Sequence, residues 1–171
     1  MTDNSTQLTS ALRDRLIDAP LWEFALCLYA RHGVEAACLL LQEEADVDVC
    51  ELLWLCWLHS HGLTCDEPTD PIRRWQREVT IPLRRLRRAL KAEAERRESV
   101  AVLRRTLQEA ELQAEREALS CLEQLAHRSD RLRRLPTPHR RLEECLAVRL
   151  RVTKESHLNA LKTLESQLDP S

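Results

Sequence analysis

Three sets of residues carry the types and spacings from which chemistry could be built. Arg31-His32-Gly33 sets an imidazole between a guanidinium and a glycine, a tripeptide that accepts a phosphoryl group when it follows a strand of an α/β fold. Here it follows the apolar run Leu21–Ala30, and a glycine in that place reads as the stop of a helix. Cys50, Cys56, His59, His61 and Cys65 supply ligand types for zinc, with Cys56 and His59 three apart on one helical face and Cys65 able to fold back. The spacing C-x5-C-x2-H-x-H-x3-C fits no established zinc pattern, and Cys50 and Cys56 also fit as small buried hydrophobes. A Glu-x-x-His pair, as a di-iron bundle requires, occurs nowhere in the chain. The expectation is therefore no catalytic residue, no resident metal and no cofactor, with zinc at Cys56, His59, His61 and Cys65 as an alternative.

The third set is basic. Between Ile72 and Arg105 there are 11 arginines and Lys91 against four glutamates. The candidate partner-binding residues are Arg73, Arg77, Arg84, Arg85, Arg87, Arg88 and Lys91. On a continuous helix Arg73, Arg77, Arg84, Arg88 and Lys91 would share one face. A second cluster comprises Arg128, Arg131, Arg133, Arg134, Arg140 and Arg141. Guanidinium forks suit carboxylate and phosphate equally. Three destinations stay open: a solvated face paired with glutamates, docking onto the acidic N-terminal unit or an acidic protein partner, or RNA or DNA. Nucleic acid ranks below protein, because no aromatic platform alternates with the arginines and the overall pI is about 6.3.

These side chains need elements to hold them. Of 171 residues, only Gly33 and Gly62 are glycine, which excludes Rossmann folds, P-loops and propellers, all of which use several positive-φ positions. With one Phe and one Tyr, strand formers are scarce while Leu, Ala, Arg and Glu dominate. The expected fold class is all-α. Charge is divided: residues 1–70 carry a net −10 and residues 71–171 a net +8, so either the parts attract one another or one meets an anionic partner. Seven cysteines, an odd count set mostly in apolar helical patterns, read as reduced, buried thiols. The start has no signal-like pattern and the apolar runs are far shorter than a membrane span. The expected location is cytoplasmic.

Helical spacing predicts a short helix over 7–18, then helices over about 21–30, 34–44 and 49–60, the last with Asp46 or Asp48 as N-cap. The run Leu52–Leu58 is apolar all round and should lie centrally. Trp22, Phe24, Leu53, Trp54, Trp57 and Trp75 are the expected structural core. Residues 63–71 read as a linker. Beyond it Trp75 and Val79 mark a helix that Pro82 kinks or restarts, and Leu83, Leu86 and Leu90 follow at helical spacing. Val100, Leu103, Leu107, Ala110, Ala114, Ala118, Cys121 and Leu125 form a narrow alanine-rich stripe. Pro136 breaks it, Thr137 with Pro138 can start a last helix, and that helix carries Leu142, Leu146, Leu150, Thr153, His157, Leu161, Leu164 and Leu168. Two long helices joined by a short turn give an antiparallel helical hairpin, coiled-coil-like in its seam. The predicted division is an N-terminal segment at 1–19, a Trp-rich helical domain at 20–98 and an extended hairpin at 99–171.

The segments Leu21-Trp22-x-Phe24-Ala25-Leu26-x-Leu28-Tyr29, Gly33-Val34-x-x-Ala37-Cys38-Leu39-x-Leu41-Gln42 and Asp48-Val49-x-x-Leu52-Leu53-Trp54-x-x-Trp57-Leu58 resemble a family of short proteobacterial proteins catalogued only as a domain of unknown function. Trp75-x-x-x-Val79-x-x-Pro82-Leu83-Arg84-x-Leu86-Arg87-x-x-Leu90-Lys91 resembles its second block. The two blocks span 21–62 and 75–91; the resemblance implies no activity, because the family carries none. The functional expectation is a non-catalytic, protein-binding adaptor that presents a basic helical surface to an acidic partner, with a homo-oligomer through the hairpin as a further option.

Overall fold

The computed structural model describes residues 3–136 and 141–168, with side chains from Ser10 onward. It is 77% helical, with one two-stranded sheet, so the chain belongs to the mainly α class. Helices α1 (Asp3–Ile17), α2 (Leu21–Tyr29), α3 (Val34–Ala45) and α4 (Val49–Ser60) come first. Strand β1 (Leu63–Cys65) follows, then α5 (Asp70–Trp75), a π-helical turn over Gln76–Thr80, α6 (Ile81–Ala89) and α7 (Lys91–Ala94). The 31-residue α8 (Glu98–Arg128), strand β2 (Leu132–Arg134), α9 (Leu142–Leu150) and α10 (Glu155–Leu168) complete the chain. Its contacts divide it into two units, Met1–Pro68 with Glu123–Ser171, and Thr69–Leu122.

The first unit is built around α4. Asp48 caps it by accepting the Glu51 N–H at 2.9 Å, and every residue from Cys50 to Leu58 is buried. Gly33 adopts φ 79°, where a non-glycine residue would be strained, and a Cβ there would stand 3.2 Å from Thr163 Cγ2 of α10. Two helices lacking a local side-chain cap are capped from a distance. The Leu21 N–H at the start of α2 donates to Glu123 (3.3 Å), and the Leu142 N–H at the start of α9 donates to Glu165 (2.9 Å). Such caps offset donors that the first helical turn leaves unpaired.

The expected antiparallel hairpin over 99–168 is not the arrangement found. α10 packs on α3 and on α9, so the two C-terminal helices complete the Trp-rich bundle. The predicted last helix is also two helices: Arg151 takes a left-handed conformation (φ 54°) that ends α9, and the chain restarts at Glu155. The Thr137 and Pro138 helix start lies outside the described residues. Part of the predicted linker pairs: β1 and β2 are antiparallel, with Leu63 opposite Arg134 and Cys65 opposite Leu132. Leu63, Cys65 and Leu132 are buried, which is why a segment that reads as polar and Pro-rich is held in place.

The second unit is a helical hairpin of its own, in which α5 to α6 run against α8. Its buried residues are few: Thr69, Ile72, Thr80, Glu111, Ala114, Ala118, Leu119 and Leu122. The predicted stripe is rotated, because Leu103 is half-exposed and Cys121 exposed while Glu111 is buried. No single helix among the described residues is long and apolar enough to cross a membrane.

Candidate functional site

The arginine-bearing segment is not a uniform helix. Pro82 has no N–H to give the preceding turn and its ring crowds the carbonyl behind it. The backbone responds with the π turn at Gln76–Thr80, which holds one residue more than an α turn. On an unbroken α-helix Trp75 and Arg87 would stand about 120° apart, and the extra residue brings them to about 20°. Both then face α8. The Trp75 indole N–H donates to the Ala114 carbonyl at 2.9 Å. Arg84 Nε donates to Glu111 (2.7 Å) and its Nη2 to Glu115 (2.6 Å), while Arg87 Nε donates to the other oxygen of Glu111 at 2.5 Å.

Two arginines thus converge on one carboxylate whose side chain is only 9% exposed. Burial works to raise the Glu111 carboxyl, but the hydrogen bonds from Arg87 and Arg84 overcome it and hold it below the ordinary glutamate range. Burial raises Glu115 above that range; Arg84 opposes this only in part, and the neighbouring Glu111 charge adds to the rise. Burial also works to lower Arg84, yet the hydrogen bond to Glu111 and the charges of Glu115 and Glu111 raise it. This cluster fixes α6 against α8 and leaves little of Arg84 or Arg87 for a partner.

The other candidates are placed differently. Arg77, Arg85, Arg88 and Lys91 are exposed, and none has an ion pair among the described residues. Arg73 is exposed but engaged. Arg85 and Arg88 lie about 100° round α6 from Arg84 and Arg87. The expected single face of Arg73, Arg77, Arg84, Arg88 and Lys91 is therefore split by the π turn. Of the second cluster, Arg128, Arg131, Arg133, Arg134 and Arg141 are exposed in the first unit, and Arg140 lies outside the described residues.

One arginine that the spacing did not single out is also partly enclosed, at 24% side-chain exposure. Arg149 of α9 donates to the carbonyls of Cys65 (2.8 Å) and Glu67 (3.3 Å) and to the carboxylate of buried Glu51 (3.4 Å). Its guanidinium lies 5.5 Å from the Trp54 ring centroid. The signal was present: a glutamate at the start of a helix otherwise buried all round needs a cation.

The expected core is realised unevenly. Trp54 and Trp57 are fully buried and Leu53 is 6% exposed, whereas Trp22 and Phe24 are half-buried and Trp75 is 37% exposed. Trp57 donates to the Ala19 carbonyl (2.8 Å), with His61 and His127 edge-on to its ring. Among the described residues no group of three or more His, Cys, Asp or Glu side chains is placed to hold a metal. His61 Nδ1 lies 2.8 Å from the Trp57 carbonyl, and the Cys65 thiol donates to Ser129. Burial, with Cys38 nearby, pushes the Cys56 thiol far up, and burial, with the Glu35 charge, takes Cys38 up to about 12. Both are neutral thiols at neutral pH rather than ready ligands. Four cysteines are buried, Cys145 is half-buried, and Cys27 and Cys121 are exposed, so the expectation of buried thiols holds only for the majority.

The fold and the surface together define a mainly helical protein with a basic helical face and no assembled metal cluster among its described residues. The chain belongs to the family described as a protein of unknown function, DUF2390, whose model matches residues 20–122. That match extends past the blocks at 21–62 and 75–91 into α8, and so takes in Glu111 and Glu115. No curated protein and no solved structure matches the chain.

Proposed function

We propose that this protein is a non-catalytic interaction protein that presents the exposed cations Arg77, Arg85, Arg88 and Lys91 to an acidic protein surface. The observation that carries this reading is the partition on α6. Arg84 and Arg87 are neutralised by Glu111 and Glu115, while the neighbours one residue on, Arg85 and Arg88, are exposed without a described carboxylate. Arginine forks desolvated against carboxylates contribute about 1.5–3 kcal/mol each, far more than exposed pairs. The neutral, buried state of Cys38 and Cys56 supports a reading without thiol chemistry.

The test is affinity capture from the native cell with nuclease present. The triple reversal Arg77→Glu, Arg85→Glu, Arg88→Glu should lose the partner while keeping the helical signal. Recovery that disappears on nuclease treatment, with affinity falling steeply as salt rises, would assign the face to nucleic acid instead.

A further inference from the structure

The second unit leaves one side of its hairpin uncovered. α6 buries none of its residues, although Leu83, Leu86 and the C-cap residue Leu90 lie within about 60° of one another. Leu86 remains 52% exposed. On α8, Val100, Leu103, Leu107 and Ala110 lie within about 80° of one another, and Leu103 is 50% exposed and Val102 49%.

The position of these stripes follows from the ion-pair cluster. On α6 the leucines are displaced from Arg84 and Arg87 in the same rotational sense as the α8 stripe is displaced from Glu111. In two helices that run antiparallel, equal senses put both stripes on the same side. Arg85, Arg88 and Arg105, all exposed, fall on the opposite side.

The apolar side also carries no unpaired charge, since Arg87, beside Leu83 and Leu90, is held by Glu111. From Ser99 to Ala114 the half of α8 facing that way holds Ser99, Val102, Thr106 and Gln113 beside the stripe, and the matching side of α6 adds Pro82 and Ala89. We propose that this face, centred on Leu83, Leu86, Leu90, Leu103 and Leu107, is the contact between two copies of this chain, paired two-fold into a four-helix bundle.

A second copy fits for three reasons. A two-helix layer stabilises its apolar side by meeting another layer. A face whose bordering charge is already paired meets its own copy with no unpaired like charges opposed, whereas the arginine side would oppose itself. The face extends roughly 24 Å along α8 and roughly 20 Å across two helices, a footprint of roughly 480 Å² that with side-chain relief approaches the ~600 Å² per partner at the small end of stable interfaces. The pairing is independent of the acidic-partner reading, and would leave the two arginine faces directed outward.

Sedimentation equilibrium of the full chain from about 1 to 100 µM should give twice the 19.9 kDa chain mass at the upper end. Leu86→Ala with Leu103→Ala should weaken the dimer on the order of a hundredfold, with circular dichroism unchanged. If that variant loses helical signal, Thr106→Arg, at an exposed position of the same face, should also give a monomer by placing like charges across the two-fold. Arg85→Glu with Arg88→Glu should leave the dimer intact. A wild-type monomer throughout the range overturns the proposal. So does a dimer that neither the leucine pair nor Thr106→Arg weakens, or one that only the arginine reversal dissolves.

Discussion

The two units use the same residue types to opposite ends. In the first, Trp54 and Trp57 are wholly enclosed, and Arg149 is drawn in beside Trp54 with contacts to α4, to β1 and to the Glu67 carbonyl just beyond it. In the second, Trp75 is 37% exposed, α6 buries nothing, and the innermost group is a carboxylate, Glu111, held by two arginines. The difference is one of layers. Around α4, helices from both ends of the chain close every side. A two-helix unit closes one side, and polar clamps do there what apolar packing does elsewhere. Arginine count along the chain therefore does not measure the surface offered to a partner; depth of packing decides which arginines are consumed.

Substitutions that act on depth should separate the units most. Trp54→Ala should cost about 3–5 kcal/mol in urea unfolding, against about 1 kcal/mol for Trp75→Ala; equal losses would erase the contrast. Glu51→Ala, which leaves Arg149 enclosed without its carboxylate, should cost about 2–4 kcal/mol.

Smaller and pH-dependent is the effect at the clamp. Glu111 is held below its ordinary value in the folded protein, so it contributes stability above the unfolded value of 4.5 and loses it as pH falls below 4.5 toward the lower folded value. Glu115 has the opposite sign: its raised value burdens the folded state above that value, and the burden is relieved as pH falls toward 4.5. Glu111→Gln should thus cost about 1.5–3 kcal/mol at pH 7 and progressively less in acid, while Glu115→Gln should cost less at pH 7. Chemical denaturation at pH 7 and in acid distinguishes the two. Smallest of all, Arg85→Glu with Arg88→Glu should change stability by no more than about 0.5 kcal/mol.

What could be read from the sequence was local. Gly33, Asp48 and the apolar run at 52–58 marked α2 to α4 nearly to the residue, because caps, stops and all-round apolarity act within a few positions. The family blocks at 21–62 and 75–91 lie inside the matched region. What escaped depended on distant partners. The pairing of Leu63–Cys65 with Leu132–Arg134 leaves no short-range mark. The α10–α3 packing was hidden because the leucines of the last helix suit any apolar groove. The division of the arginines turned on the π turn before Pro82. Pro82 marks a kink or a restart in the sequence, but the rotation it imposes is what sets Arg84 and Arg87 inward and Arg85 and Arg88 outward.

The central claim is that partition, and a crossed pair of charge reversals tests it most directly. Arg84→Glu with Arg87→Glu and Arg85→Glu with Arg88→Glu change net charge equally, so any difference reflects position. The first pair should lower unfolding stability markedly through Glu111 and Glu115. The second should keep stability and helical signal while losing the nuclease-resistant partner recovered with the wild type. If the second pair recovers every partner of the wild type, or if both pairs destabilise the protein equally, the partition is not the functional feature of this surface.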